Sequence, residues 1–209
     1  MAKSLIIFDM DGTLVDSSLL LANAINHVRG HLGLPPMPSG HIIGQVNNHR
    51  LNPAQYFYGL DHFEPIHEHW FSAYYTAHHD RELALYDGVM DLLAVLKGEG
   101  KQMALATNAY RTSTLESLRH LEIEHFFDAI VTAEDVIMAK PDPEMLHRIL
   151  HQLHATRDAA LFIGDGPRDE EAAQAAGIDY IMVDWGFTDH GDRRVVADVH
   201  ALQARIAAA

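Results

Sequence analysis

The pattern of apolar and polar positions divides the chain into three stretches. Residues Ser4–Phe8 form an apolar run that ends directly in acids and glycine, as a buried parallel strand does. From residue 16 to about residue 80, apolar residues recur at helical spacing around the breaker LGLPPMPSG, and no segment shows convincing strand character. From Leu83 onward, strand-like and helix-like segments alternate. The pattern therefore predicts a strand, then a helical region, and then a region in which strands and helices alternate.

The alternating part predicts a parallel sheet, because strands that alternate with helices are joined by right-handed crossovers. The predicted strands are Ser4–Phe8, Gln102–Thr107, Ala129–Thr132, Ala160–Gly164 and Tyr180–Val183. The predicted helices are Val89–Lys97, Thr112–Leu121, Pro143–Leu153, Asp169–Ala176 and a short one in the terminal ALQARIAAA. We predict an α/β fold: a Rossmann-like core of five parallel strands with helices on both faces, formed by residues 1–15 and 81–209. An all-helical domain, residues 16–80, is inserted after the first strand.

Composition narrows the class of protein. The chain has 209 residues, no cysteine, and 15 Lys+Arg against 29 Asp+Glu, for a formal net charge of -14. So acidic a chain does not suit the phosphate backbone of nucleic acid, and its apolar runs are too short to span a membrane. We expect a cytoplasmic monomer or small homo-oligomer. The 16 histidines lack zinc-motif spacing, and those of His67-Glu68-His69 are expected at the surface.

Polar residues that suit one chemistry follow the predicted strands. Asp9 and Asp11 come directly after the first strand, and Gly12 permits the turn that would direct both acids into one pocket. In open α/β sheets, ligands bind beyond the carboxyl ends of the strands. Taken alone, the DMDG segment fits a helix cap equally well.

Three further strand ends carry candidate residues. Thr107 and Asn108 offer a hydroxyl and an amide that can hold phosphate oxygens, although a helix cap explains them too. Lys140, in AKPDP, is a point charge suited to phosphate, or else an exposed loop lysine. Asp165 and Asp169, in GDGPRD, either cap a helix or join the first acids around a cation such as Mg²⁺.

The four segments together resemble the motifs of the haloacid dehalogenase superfamily. DMDGTLVDS is similar to its first motif, ATN to its second, the lysine of AKPDPE to its third and GDGPRD to its fourth. The position of the helical insert resembles the phosphoglycolate-phosphatase-like branch, which carries a helical C1 cap. The resemblance implies a phosphatase that acts through an aspartyl-phosphate, with the cap closing over the site to exclude water.

The resemblance also implies a role for each motif residue. Asp9 would be the nucleophile and Asp11 the general acid and base. Lys140 would neutralise charge, and Thr107 and Asn108 would bind phosphate. Mg²⁺ would be held by Asp9, the Asp11 carbonyl and Asp165, and Asp169 would orient a metal-bound water.

The substrate is predicted only by class: a small-molecule phosphate monoester, with phosphoglycolate as the first expectation. Asp11 favours phosphate over halide chemistry, because the dehalogenases lack this second acid. In the cap segment GQVNNHR, Asn47 and Arg50 are candidate substrate ligands; a solvated helix arginine explains Arg50 as well. A phosphomutase of the β-phosphoglucomutase type and a non-enzymatic phosphoacceptor or interaction protein remain alternatives.

Overall fold

The computed structural model describes residues 3–46, 51–185 and 195–209. The chain divides into two compact units. One, the α/β unit, consists of Met1–Asp16 and Ala84–Ala209; the other, the helical unit, consists of Ser17–Leu83. Among the described residues, no helix is both long and apolar enough to cross a membrane.

Strands and helices alternate through the α/β unit. The described strands are β1 (Leu5–Phe8), β2 (Val15–Asp16), β3 (Ala84–Leu85), β4 (Gln102–Ala106), β5 (Ala129–Val131), β6 (Ala160–Gly164), β7 (Asp179–Val183) and β8 (Val195–Val196). The described helices are α1 (Ser18–His31), α2 (Ser39–Val46), α3 (Pro53–Tyr58), α4 (Pro65–Glu82), α5 (Val89–Gly98), α6 (Arg111–His120), α7 (Glu144–Gln152), α8 (Pro167–Ala176) and α9 (Val199–Ala207).

The main sheet is parallel and has the strand order β5-β4-β1-β6-β7-β8. The predicted α/β fold is confirmed, but the sheet has six strands rather than five. The extra strand, β8, has only two residues, too few to show a periodic pattern in the sequence. After β1, the chain first forms β4 and β5 on one side of β1 and then forms β6, β7 and β8 on its other side. The strand order therefore reverses at β1, and this switch point is where such sheets bind ligands.

Both faces of the sheet are covered, which explains why its central strands are continuously apolar. All four residues of β1 are buried. One face packs Leu5, Ile7 and Phe162 against α7 and α8, through residues that include Leu146 and Ala173. Burial of each large side chain contributes about 1.5–3 kcal/mol. The core thus holds β1, and with it Asp9, in a fixed place.

Two short strands that the sequence did not predict flank the helical unit along the chain. β2 and β3 pair antiparallel, with Val15 opposite Leu85. The compact helical unit begins at Ser17 and ends at Leu83, whereas the sequence pattern placed the insert at residues 16–80. The assignment of residues 16–80 as a cap stays a prediction.

The helical unit is built on α1, which packs against α4 around an apolar cluster that contains Ile25, Val28 and Phe57. Arg29 is buried there, and its guanidinium donates to the carbonyls of Pro35, at 2.8 Å, and Phe57. The expectation that His67 is exposed was wrong. It is buried, and its Nδ1 accepts a hydrogen bond from the backbone N–H of Glu64 at the start of α4.

Candidate active site

The predicted site residues that follow β1, β4 and β6 lie beside one another. They are Asp9, Thr107 and Asp165, and β1 pairs with β4 on one side and β6 on the other. The Asp9 N–H donates to the Ile163 carbonyl at 2.9 Å, so β1 and β6 stay paired up to the site. The sheet thereby gathers these side chains at its switch point.

The loop after β1 turns sharply toward Asp165. The N–H groups of Leu14 and Val15 both donate to the Met10 carbonyl, at 2.9 and 3.0 Å. Gly12 has a φ of 79°, which favours glycine. A Cβ at Gly12 would also collide with the carboxylate of Asp165. Glycine at this position therefore permits both the turn and the close approach of the acid.

Lys140 is the buried centre of the cluster. Its Nζ lies 2.6 Å from Oδ1 of Asp9 and 2.7 Å from Oδ1 of Asp169, and only 3% of its side chain is exposed. The ammonium also lies 5.5 Å from the ring centroid of Phe162. Lys140 thus joins the acid after β1 to an acid on α8. The sequence did not predict the bond to Asp169.

Asn108 holds the backbone of Lys140. Its Oδ1 accepts from the Lys140 N–H at 3.0 Å, and its Nδ2 donates to the Lys140 carbonyl at 2.9 Å. These paired bonds connect the loop after β4 to the loop before α7. Asn108 was predicted to bind phosphate; that role stays a prediction, and the structure gives the amide a positioning task as well.

Asp169 lies in the first turn of α8, and its Oδ2 accepts from the Gly166 N–H at 3.3 Å. A Cβ on Gly164 would collide with its carboxylate. Carboxylate oxygens of Asp9, Asp165 and Asp169 all lie within 4.8 Å of one another. The structure therefore places Asp169 beside Asp9 and Asp165, two of the three predicted metal ligands, and its predicted role in orienting a metal-bound water stays a prediction.

Negative charge exceeds positive charge in this cluster. Burial raises the pKa of the Asp9 carboxyl to about 7; the Lys140 ammonium acts to lower it, and the Asp169 carboxylate adds to the rise. Burial, then the charges of Asp9 and Asp169, raises the pKa of Asp165 well above its usual value. An ion pair alone would lower the pKa of Asp9, so desolvation and the neighbouring acids outweigh Lys140.

The neighbouring carboxylates also change the pKa of Lys140. Burial acts to lower the pKa of Lys140, but the carboxylates of Asp169 and Asp9 outweigh it and raise the pKa above that of a free lysine. Lys140 therefore stays charged. Three carboxylates around one ammonium fit a divalent cation, and oxygen ligands of this kind are those that Mg²⁺ prefers.

Thr107 and Asp11 are further predicted residues of the α/β unit. Thr107 is buried, and its Oγ1 accepts from the Ala109 N–H at 3.1 Å, so the hydroxyl can still donate its own hydrogen. Asp11 forms an isolated backbone bridge with Val15, and its charge contributes to the raised pKa of Asp9. Asp11 thus lies near the Asp9 carboxylate, and Thr107 follows β4, the strand that pairs with β1.

Aromatic residues near the cluster were missed by sequence reasoning. The Tyr180 hydroxyl donates to the Gly166 carbonyl at 3.3 Å and supports the loop after β6. Burial and the charges of Asp16 and Asp165 raise the pKa of Tyr86, which places its phenol near these acids. No sequence signal indicated either tyrosine, because each comes close only through the tertiary fold.

Two predicted substrate ligands, Asn47 and Arg50, lie outside the described residues. Trp185, which follows β7, donates its indole N–H to the Thr13 carbonyl at 3.1 Å. That bond ties Trp185 to the loop that carries Asp11.

Comparison with known proteins identifies relatives along nearly the whole chain. The family model of the haloacid dehalogenase-like hydrolases matches residues 6–183. The phosphoglycolate phosphatase of Mesorhizobium japonicum is 30% identical over 224 residues, which cover 99% of this chain and 96% of that protein.

Two other relatives differ in how much of them the chain covers. The tyrosine-protein kinase PtkA of Mycobacterium tuberculosis is 31% identical over 190 residues, but the aligned 89% of this chain spans only 64% of the kinase. A solved haloacid dehalogenase-like family hydrolase from Streptococcus pneumoniae superposes with a TM-score of 0.76 at 27% identity, covering 90% of this chain and 88% of that one.

Proposed function

The chain belongs to the haloacid dehalogenase-like hydrolase family, and we propose that it is a magnesium-dependent phosphatase that hydrolyses a small-molecule phosphate monoester through Asp9. The observation that carries this function is the close grouping of the Asp9, Asp165 and Asp169 carboxylates beside the buried Lys140 at the switch point of the sheet. The enzyme is accordingly a phosphoric monoester hydrolase.

Asp9 is the nucleophile. Lys140 binds its Oδ1 at 2.6 Å and so fixes the orientation of the carboxylate. A carboxylate oxygen attacks phosphorus, the bond from phosphorus to the leaving oxygen breaks, and an aspartyl-phosphate forms. Water then attacks the phosphorus, the bond to Asp9 breaks, and inorganic phosphate leaves.

Asp11 moves the proton in both halves of the reaction. It donates a proton to the leaving oxygen in the first displacement and removes a proton from the attacking water in the second. Its position two residues after Asp9, on the turn at Gly12, lets both acids serve one substrate.

Asp9, the backbone carbonyl of Asp11 and Asp165 would hold the Mg²⁺, and Asp169 would orient its bound water or bind it directly. The metal would supply positive charge beside the phosphoryl oxygens. Lys140 adds a second positive charge, and Thr107 and Asn108 donate to phosphate oxygens. Residues 16–80 act as the cap domain.

The substrate class is a small phosphate monoester such as phosphoglycolate, the compound named for the relative from Mesorhizobium japonicum. Arg50 and Asn47 are the proposed ligands for the remainder of the substrate. Replacing Arg50 with Ala should raise KM more than it lowers kcat if Arg50 binds the substrate. Unchanged kinetics would remove Arg50 from that role.

The test is phosphate release from a panel of phosphoglycolate, sugar phosphates, nucleotides and an aryl phosphate, with and without Mg²⁺. Asp9→Asn should abolish release, and Asp158→Asn, at an exposed acid, should not. Borohydride added during turnover should convert Asp9 to homoserine, because it reduces an acyl phosphate. A folded protein that is inactive on the whole panel would overturn the proposal.

The acceptor of the phosphoryl group decides between hydrolysis and transfer. A mutase would yield an isomeric sugar phosphate without net release of phosphate. Transfer to a tyrosine, the activity named for PtkA, would label a peptide instead. Free phosphate as the sole product supports the phosphatase.

A further inference from the structure

The helical unit carries a second group of side chains suited to a metal, unrelated to the acids of the α/β unit. His27 and His31 lie four residues apart on α1, so their side chains share one face of the helix. Their Nε2 atoms are 3.2 Å apart, and the pair is exposed to solvent. The two ring nitrogens thus lie within hydrogen-bonding distance of each other near the surface.

Aromatic rings of α4 hold both imidazoles in place. His31 stacks on Trp70, with ring centroids 4.4 Å apart and an angle of 11° between the planes. The ring of Tyr74 lies 5.1 Å from that of His27. Since the two imidazoles also meet edge to face, at 4.7 Å, their orientation is set by contacts on two helices.

The separation of the nitrogens matches the bite of a metal chelate. Two imidazole nitrogens that each lie about 2.0–2.1 Å from one zinc ion are roughly 2.9–3.4 Å apart, if the N–Zn–N angle lies between the square-planar and the tetrahedral value. The observed 3.2 Å falls in that range. Helical zinc sites also bind their metal through two histidines at positions i and i+4.

A carboxylate at the end of α4 favours a cation near the pair. One turn before His27, Asn23 donates to Glu82 Oε2 at 3.1 Å, and Tyr74 donates to Glu82 Oε1 at 3.1 Å. This carboxylate adds negative charge on the same side of the helix pair.

We propose that His27 and His31 form a chelating site for a divalent transition-metal ion of the zinc, nickel or copper class, with water completing the coordination. Imidazole suits these ions, whereas Mg²⁺ prefers oxygen. The site is therefore chemically distinct from the Asp9 cluster, and the two sites select different ions.

The experiment titrates the full-length protein with Zn²⁺ against a chromogenic chelator, in a large excess of Mg²⁺ that occupies the acidic site. We expect one equivalent of Zn²⁺ to bind. His27→Gln with His31→Gln should weaken this binding at least about tenfold, since even the loss of a group that only orients a metal ligand lowers metal affinity by that much.

The matched control is His147→Gln with His151→Gln. These histidines are exposed and have the same spacing on α7, so the control should leave the Zn²⁺ equivalent unchanged. Unchanged binding in the His27/His31 variant would overturn the proposal. Equal losses in both double variants would overturn it too, because spacing alone would then account for binding.

Trp70 supplies a readout at the site itself. The chain contains two tryptophans, Trp70 and Trp185, so a Trp185→Phe protein reports Trp70 alone. Cu²⁺ bound at His31 should quench the fluorescence of the stacked Trp70, and His27→Gln with His31→Gln should abolish the quenching. Quenching that persists in this variant, with circular dichroism unchanged, would contradict the assignment.

Discussion

Lys140 in the α/β unit and Arg29 in the helical unit are both buried cations, but they have different partners. The Lys140 ammonium contacts the carboxylates of Asp9 and Asp169. The Arg29 guanidinium donates to the backbone carbonyls of Pro35 and Phe57. Arg29 donates hydrogen bonds to backbone carbonyls and so stabilises the fold. Lys140 instead offsets the negative charge of crowded carboxylates. The partners, more than burial, distinguish a structural site from a chemical one.

Lys140→Met should produce the largest effect. It leaves two buried carboxylates without their ammonium, which costs about 3–5 kcal/mol of the free energy of unfolding, and it should abolish phosphate release. Chemical denaturation and a phosphate assay measure the two losses. Lys140→Arg is the matched control: a stable but inactive protein would show that activity needs the compact ammonium and not the charge alone.

Gly12→Ala should come next. The φ of 79° and the collision with the Asp165 carboxylate strain the loop, at a cost of about 1–3 kcal/mol. The variant should also need more Mg²⁺ for half-maximal activity, because Asp165 must move. Gly33→Ala, at a φ of 70° with open space around it, separates the backbone strain from the collision; an equal Mg²⁺ requirement in both variants would refute the role of the close approach.

Arg29→Met tests the other side of the comparison. Loss of charge-assisted hydrogen bonds to two carbonyls should lower the free energy of unfolding by about 1.5–3 kcal/mol. The Mg²⁺ concentration for half-maximal activity should not change, because none of the carboxylates at the strand ends is touched. Urea denaturation and a Mg²⁺ titration provide the measurement, and a shifted Mg²⁺ requirement would contradict the contrast between the two cations.

Asn108→Ala should lower kcat with a smaller cost in stability, about 1–3 kcal/mol for two hydrogen bonds. The amide positions the Lys140 backbone, so its loss lets the ammonium drift from Asp9. Asn108→Asp keeps one acceptor but cannot donate to the Lys140 carbonyl, and should recover only part of kcat. If both variants raise KM alone, Asn108 binds substrate and does not position Lys140.

Adding Mg²⁺ should raise the midpoint temperature of thermal unfolding by a few degrees, which is the smallest of the expected effects. The pKa of Asp9 is raised from 3.8 to about 7 in the folded protein, so the folded state binds more protons than the unfolded one between these pH values. Without metal, the contribution of Asp9 to stability therefore falls as pH rises through that window. Mg²⁺ binds the ionised acids and should stabilise more above pH 7 than near pH 4. A gain independent of pH would contradict metal binding by the carboxylates.

Much of the fold could be predicted because its signals are local. The apolar run before Asp9 predicts a buried strand, and the alternation after Leu83 predicts a parallel sheet. β8 was missed because two residues carry no periodic pattern. The exposure expected for His67 was wrong because hydrophobic spacing does not reveal that its ring bonds to the start of its own helix.

The sequence by itself determined which residue types stand at the strand ends: Asp9 and Asp11, Thr107, Lys140 and Asp165. Only the tertiary structure decided that Lys140 bridges Asp9 and Asp169, residues that are 131 and 29 positions away from it. The same holds for the stacking of His31 on Trp70 across two helices. The physical reason is that spacing along a chain encodes the periodicity of single elements, whereas the order of strands and the packing of helices bring distant side chains within bonding distance.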